Sequence, residues 1–314
     1  MPKQVFIFGA ANFSQFSNEI RQEFLAVLEQ NNVEVIDTAF LYTGSERALA
    51  ESGAPARFTV ITKSPGFYPK SLSKQSVLNA AKKSMDDLGV QKIETYFLHS
   101  PDSDTPLEET LRAVQDLYEA GKFVQFGLSN FTAKQVQEVY DVMSAKGYVL
   151  PTVFQGNYNA VARSYDSELI PLLRKLGMRF YAYSPCAGGF LVKSPEAIKT
   201  GIQGGRWDKE SPVGQLYRKL YSRPKLLTAL EDWESISKEA GVSKAALAYR
   251  WVTFNSSLNG NYGDGVIIGA SRVDQLQESL KALEDGPLPS AVAAKIDKIW
   301  ESIKDEAPVD NFHG

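Results

Sequence analysis

Eight short apolar runs alternate with helix-patterned stretches along a chain of 314 residues. That alternation, a length that suits one barrel, and the residue types that end the runs together predict an α/β fold. The expected architecture is a (β/α)8 TIM barrel with a long loop after strand seven and extra C-terminal helices. The whole of 1–314 is expected to form this one domain. A doubly wound open sheet is the alternative, but Phe8-Gly9-Ala10-Ala11-Asn12 after the first run lacks the G-x-G-x-x-G phosphate fingerprint.

Strand one is expected over 5–9, and Met1-Pro2-Lys3-Gln4 leads into it without signal-peptide character. A helix follows over about 19–30, then strand two over 33–37 and strand three over 58–63. Ser73 caps a helix whose apolar positions Val77, Ala81, Met85 and Leu88 share one face, and Gly89 stops it. Strand four is 94–99. Thr105-Pro106 opens the next helix in cap-then-proline order, with Leu107, Leu111, Val114 and Leu117 on one face and Gly121 at its end. Strand five is 124–129, and Thr132-Ala133-Lys134-Gln135 is a capping-box pattern for a helix carrying Val136, Val139, Tyr140 and Met143. Strands six and seven are 152–155 and 179–183, separated by a helix ending near Gly177. From 184 to 225 the regular rhythm stops. Helices resume over 226–240 and 243–254, strand eight is 265–269, and helices near 274–283 and 290–304 follow. The last ten residues read as a loose tail.

Composition removes several classes. With 43% hydrophobic and 23% charged residues the chain is an ordinary globular one. No run approaches the ~18 apolar residues of a membrane helix. A net charge of -3 argues against nucleic acid as a partner, which needs a basic face. The one cysteine, Cys186, cannot form an intramolecular disulfide, which fits a reducing, cytoplasmic compartment. Nothing near it in sequence activates its thiol, so it reads as structural. No His/Cys/carboxylate cluster has metal-ligand spacing.

Asp37, Lys63, His99, Ser129, Gln155, Ser184 and Gly269 all fall at C-terminal strand ends, where a barrel gathers its active site. Tyr42 follows Asp37 closely on a loop. A tyrosine is a weak acid near neutral pH, and a neighbouring ammonium favours its phenolate. That ammonium stays charged in a buried site only with a carboxylate partner. Asp37 behind Lys63 behind Tyr42 is therefore a coherent proton-donor relay, with His99 free to orient a substrate oxygen or to share the proton. Delivering a proton to a developing alkoxide without a metal is what carbonyl reduction by hydride requires. Taken singly, Asp37 also suits a turn, Lys63 a strand-end position, Tyr42 core or rim packing and His99 a packed histidine.

Several stretches carry a family resemblance. They are Asp37-Thr38-Ala39-Phe40-Leu41-Tyr42, Ile61-Thr62-Lys63, Phe97-Leu98-His99-Ser100-Pro101-Asp102 and Phe126-Gly127-Leu128-Ser129-Asn130-Phe131. In order and spacing they resemble the signatures of the aldo-keto reductase superfamily. Leu150-Pro151-Thr152-Val153-Phe154-Gln155-Gly156-Asn157-Tyr158-Asn159, Phe180-Tyr181-Ala182-Tyr183-Ser184-Pro185 with Ala187-Gly188-Gly189, and Pro212-Val213-Gly214 resemble its aflatoxin-aldehyde reductase branch, which includes succinic semialdehyde reductases. The resemblance implies NADPH as cofactor, a small-molecule carbonyl substrate, Tyr42 as general acid, Lys63 and Asp37 tuning it, and His99 positioning the carbonyl. It implies that Ser129, Asn130 and Gln155 hold the nicotinamide amide and that Tyr183 stacks on the ring. It extends the cofactor set to Ser184, Gly188 and Lys193 after strand seven. After strand eight it adds Gly269, Ser271, Arg272, Gln275, Glu278 and Ser279. Arg272 suits a 2′-phosphate, and the helix start beside it suits phosphate in general. The chain departs from the family there: many members carry more basic residues, and Asn where Ser279 stands. Dimers are common in this branch, so the resemblance also implies a homodimer.

The segment 185–225 holds eight basic residues (Lys193, Lys199, Arg206, Lys209, Arg218, Lys219, Arg223 and Lys225) against three acidic ones. Such a lid suits the cofactor pyrophosphate or a carboxylate on the substrate, and equally a solvated loop. Trp207, Tyr217, Tyr221, Phe40 and Phe131 are candidates for the substrate wall. Two other functions compete. One is a cofactor-binding regulatory subunit with little turnover, resembling the β-subunits of potassium channels. The other is a Schiff-base aldolase on Lys63, which a carboxylate partner would oppose by keeping the amine protonated.

Overall fold

Eight parallel strands close on themselves in the computed structural model, which describes residues 4–202 and 205–313. Met1, Pro2 and Lys3 of the expected lead into strand one, Gln203 and Gly204 of the long loop, and Gly314 of the tail lie outside the described residues. The strands are β1 (Val5–Gly9), β2 (Val35–Asp37), β3 (Thr59–Lys63), β4 (Ile93–Leu98), β5 (Phe123–Ser129), β6 (Pro151–Asn157), β7 (Arg179–Tyr183) and β8 (Gly265–Ile268). They pair in sequence order, and β8 returns to β1 through Val5↔Gly265 to Phe8↔Ile268. The fold is the expected (β/α)8 barrel.

Alternation of side chains along each strand divides the core. Ile7, Ile61, Phe97, Val153, Tyr181 and Ile267 fill the lumen, with Val5, Val35 and Tyr183 packed against them. Gly127 makes room for this filling, because a Cβ there would sit 2.4 Å from the Phe97 ring. Residues of opposite parity, such as Phe8, Ile36 and Ile268, face outward onto Phe24, Leu28, Leu276 and Leu280 of the helices. A second outer core joins Leu98, Phe126, Phe154 and Phe180 to the helices on the other side. The period of two has a direct result for function. The residue two places beyond each lumen residue faces the same interior, one layer higher. Asp37 follows Val35 in this way, Lys63 follows Ile61, His99 follows Phe97, Gln155 follows Val153 and Tyr183 follows Tyr181.

Local signals hold in most helices. Ser73 accepts the Ser76 N–H, and Thr132 forms a full capping box with Gln135. Thr105 departs from expectation. The helix Leu107–Glu119 starts without a side-chain cap, and the Thr105 hydroxyl donates to Asp102 Oδ2 at 2.7 Å instead. The stretch 184–225 is also less irregular than expected. It holds the 3-10 turn Ala187–Val192 and the helices Pro195–Thr200 and Pro212–Tyr221, and the helix expected from 226 starts earlier, as Pro224–Ala240. Both helices carry local signals: Ser194-Pro195 and Ser211-Pro212 are cap-then-proline starts, and Val213, Leu216, Tyr217, Leu220 and Tyr221 recur at helical spacing. The tail is not loose: Asp310 is buried and bonded to Tyr165 and His313. Among the described residues no helix is long and apolar enough to cross a membrane.

Candidate active site

A cavity of about 580 Å³ opens at the C-terminal ends of the strands. Asp37, Tyr42 and His99 line its inner part. Lys63 lies just behind, fully buried at 0% exposure. Its Nζ donates to Asp37 Oδ1 and Oδ2, each at 2.7 Å, and to the Thr38 carbonyl at 2.8 Å. All three ammonium protons are thereby used. Gln155 Nε2 donates to Asp37 Oδ1 at 2.8 Å, so Asp37, Lys63 and Gln155, on β2, β3 and β6, form one buried network with Thr38 just after β2.

Tyr42 is placed by a short, well-tied loop. Its N–H donates to the Ala39 carbonyl, Thr38 Oγ1 donates to Ser45 Oγ, and Ser45 Oγ donates to the Ala10 carbonyl. The phenol ring stands over the Lys63 ammonium at 5.2 Å and edge-on to His99 at 5.9 Å. The expected lowering of the phenol by Lys63 is not what the site produces. Burial, and then the negative charge of Asp37, hold Tyr42 above the usual tyrosine range, because no Lys63 N–H reaches the phenol oxygen. Burial also draws the Lys63 ammonium below the usual lysine range, against the pull of Asp37. Burial and the Lys63 charge keep His99 well below the usual histidine range, so its ring is neutral at pH 7. Its Nδ1 is buried with no hydrogen-bond partner among the described residues.

All thirteen residues expected at the cofactor line this same cavity: Ser129, Asn130, Gln155, Tyr183, Ser184, Gly188, Lys193, Gly269, Ser271, Arg272, Gln275, Glu278 and Ser279. Asn130 Nδ2 donates to the His99 carbonyl at 2.9 Å and to Ser129 Oγ at 3.1 Å, while its Oδ1 accepts the Tyr183 hydroxyl at 2.6 Å. Gly188 has φ +64 and lies beneath Tyr217, where a Cβ would fall 1.9 Å from the ring. Phe67, Asn130 and Ser184, all in the cavity wall, also have positive φ. Backbone strain of this kind gathers at functional sites. At the outer end Ser271 Oγ donates to Gln275 Oε1, and Arg272 pairs with Asp274 at 3.0 Å.

Other expectations need correction. Of the eight basic residues in 185–225, only Lys193 and Arg206 line the cavity. Arg218 and Arg223 donate to backbone carbonyls, and Lys225 pairs with Asp305, so these serve packing. Trp207 and Tyr217 are wall residues, whereas Tyr221 and Phe131 are buried in the core and Phe40 faces a separate pocket beside Tyr42. Burial pushes the Cys186 thiol up to about 12, which leaves it inert. Sequence reasoning missed Phe67 and Asn311, both in the wall. Phe67 was findable, since Pro65-Gly66 marks a turn directly after β3. Asn311 carries no local signal.

The chain is similar to known proteins along most of its length. The oxidoreductase sirO of Leptosphaeria maculans is 38% identical over 317 residues, covering 97% of this chain and 96% of its own. The human aflatoxin B1 aldehyde reductase member 2 is 37% identical over 296 residues, covering 90% and 82%. An aldo-keto reductase of Pseudocercospora fijiensis is 35% identical over 277 residues, covering 86% and 93%. The profile of the Aldo/keto reductase family matches residues 5–301, a span that contains all eight strands and the four inner residues. On that match the chain belongs to the aldo/keto reductase family.

Proposed function

We propose that the chain is an NADPH-dependent reductase of aldehydes or ketones, with 1–314 as one cytoplasmic catalytic domain. The observation that carries this reading is the meeting of Tyr42 and His99 over the buried Asp37–Lys63 pair, with the phenol ring 5.2 Å from the ammonium. The relatives' printed names, an oxidoreductase and an aldehyde reductase, point the same way.

The residues present suit a dinucleotide. Lys193 lines the cavity, burial draws its ammonium below the usual lysine range, and no carboxylate among the described residues pairs with it. An unpaired, part-buried cation of this kind favours an anion such as a diphosphate. Ser129, Asn130 and Gln155 would hold the nicotinamide amide and Tyr183 would cover its ring. Ser184, Gly188 and Lys193 would take the diphosphate. Gly269, Ser271, Arg272, Gln275, Glu278 and Ser279 would take the adenosine phosphate. When bound, the reduced nicotinamide supplies a hydride to the carbonyl carbon.

The chain's part is the proton and its timing. Tyr42 keeps its proton at neutral pH, because burial and Asp37 oppose the phenolate. An alkoxide is a stronger base than a phenolate, so the proton passes from the Tyr42 oxygen to the carbonyl oxygen as charge builds there. Asp37 keeps the Lys63 ammonium fixed beneath the ring, 5.2 Å from its centre. Neutral His99 can donate a hydrogen bond to the carbonyl oxygen without giving up its proton. Steady-state turnover with NADPH and 4-nitrobenzaldehyde is the test. No oxidation of NADPH above background would sink the enzyme reading and favour a cofactor-binding subunit.

A further inference from the structure

The end of the chain carries a buried carboxylate for which the mechanism above has no use. Asp310 is 0% exposed. Its Oδ2 accepts the Tyr165 hydroxyl at 2.8 Å, and its Oδ1 accepts the N–H groups of Phe312 and His313 at 2.8 and 2.6 Å. The His313 ring Nδ1 lies 2.9 Å from Oδ2. A buried carboxylate is costly unless its lone pairs are filled, and here they are. The result is a tight clamp on residues 310–313.

From this clamp two routes run to the inner cavity. Along the first, the Asn311 N–H donates to the Tyr183 hydroxyl at 3.3 Å. That hydroxyl donates to Asn130 Oδ1 at 2.6 Å, and Asn130 Nδ2 donates to the His99 carbonyl at 2.9 Å. Along the second, Phe312 packs on Phe67 at 5.9 Å, and Phe67 stands edge-on to His99 at 5.1 Å. A tail that merely covered the barrel would need no polar bond to a cavity residue. The Asn311 bond to Tyr183 is such a bond.

We infer that Asp310 is a positioning residue for cofactor binding: by clamping the C-terminal segment it holds the Asn311 amide on the Tyr183 hydroxyl and so fixes the plane of the Tyr183 ring. With one donor and one acceptor engaged, the hydroxyl allows that ring a single orientation in the wall. This rests on the reading that Tyr183 covers a nicotinamide.

The test is a double-mutant cycle on the full chain, read as NADPH affinity by fluorescence titration. Asp310→Ala should weaken NADPH about fivefold to tenfold, the worth of one lost hydrogen bond. Asp310→Asn should weaken it less, because the amide keeps one acceptor. In a Tyr183→Phe background, which lacks the hydroxyl, Asp310→Ala should add less than about twofold, since the two residues act as one unit. Equal factors in both backgrounds, or no effect in either, would overturn the proposal. If Asp310→Ala does not fold, Asp310→Asn completes the same cycle. A wild-type chain that binds no NADPH defeats the cofactor reading and not the clamp. The clamp is then read from amide exchange at Asn311. Both Tyr183→Phe and Asp310→Asn should speed that exchange, and an unchanged rate in Tyr183→Phe overturns it.

Discussion

The two ends of the cavity are built in opposite ways. At the inner end the partners are distant in sequence: Lys63 reaches Asp37 from another strand, and Gln155 reaches it across 118 positions. Their side chains are almost wholly buried. At the outer end the partners are neighbours. Arg272, with a side chain 62% exposed, pairs with Asp274 two places on, and Ser271 bonds to Gln275 four places on. On the proposed reading, the catalytic groups are therefore held by the register of the barrel, and the adenosine phosphate by one short segment at a helix start. Damage at the inner end should reach activity and folding together, while damage at the outer end should change affinity alone.

Four measurements test that contrast. Tyr42→Phe should cut kcat by about 10²–10⁴-fold, the usual worth of a general acid, and leave NADPH binding near wild type. Retained turnover would mean that another group gives the proton. Lys63→Met leaves Asp37 buried without its counter-ion, and urea unfolding should report a loss of about 3–5 kcal/mol. A loss below about 1 kcal/mol, the range of exposed pairs, would mean that the inner end is wetter than its burial implies. His99 gives a pH signature. Its folded-state pKa is depressed, so the unfolded chain binds the proton first as pH falls. Stability should be full above about pH 6.5 and fall below it by about 1.4 kcal/mol per unit from this group, and His99→Gln should flatten that slope. Arg272→Ala should have the smallest effect, about fivefold on NADPH and little on NADH, because an exposed guanidinium already paired to Asp274 gains little from a phosphate. Equal losses for both cofactors would contradict a 2′-phosphate contact.

The inner end was the more legible of the two in the sequence, although its contacts are the longer-range ones. Strands announce themselves as apolar runs, and a barrel brings their C-terminal ends together whatever the contacts. Asp37, Lys63 and His99 could thus be grouped without knowing a single distance. The bonding could not be read. Lys63 spends its protons on Asp37 and Thr38 and not on Tyr42, and that follows from side-chain directions in three dimensions. The tail was misread for a related reason. Asp310 looks solvent-facing in a short polar stretch, and its burial depends on Tyr165, 145 positions away. In 185–225 charge was visible, but not which basic side chains turn inward. Arg218 and Lys193 look alike in sequence, and only Lys193 reaches the cavity.

The Asp37–Lys63 pair also constrains how this sequence can change. Replacing either residue alone strands a buried charge, whereas replacing both by apolar residues of similar size is often neutral or even stabilising. A lineage drifting free of selection for catalysis would therefore have to cross a deep stability valley in one step before it could lose the pair. Each residue shields the other from substitution, so this charge pair should outlast the activity proposed for it.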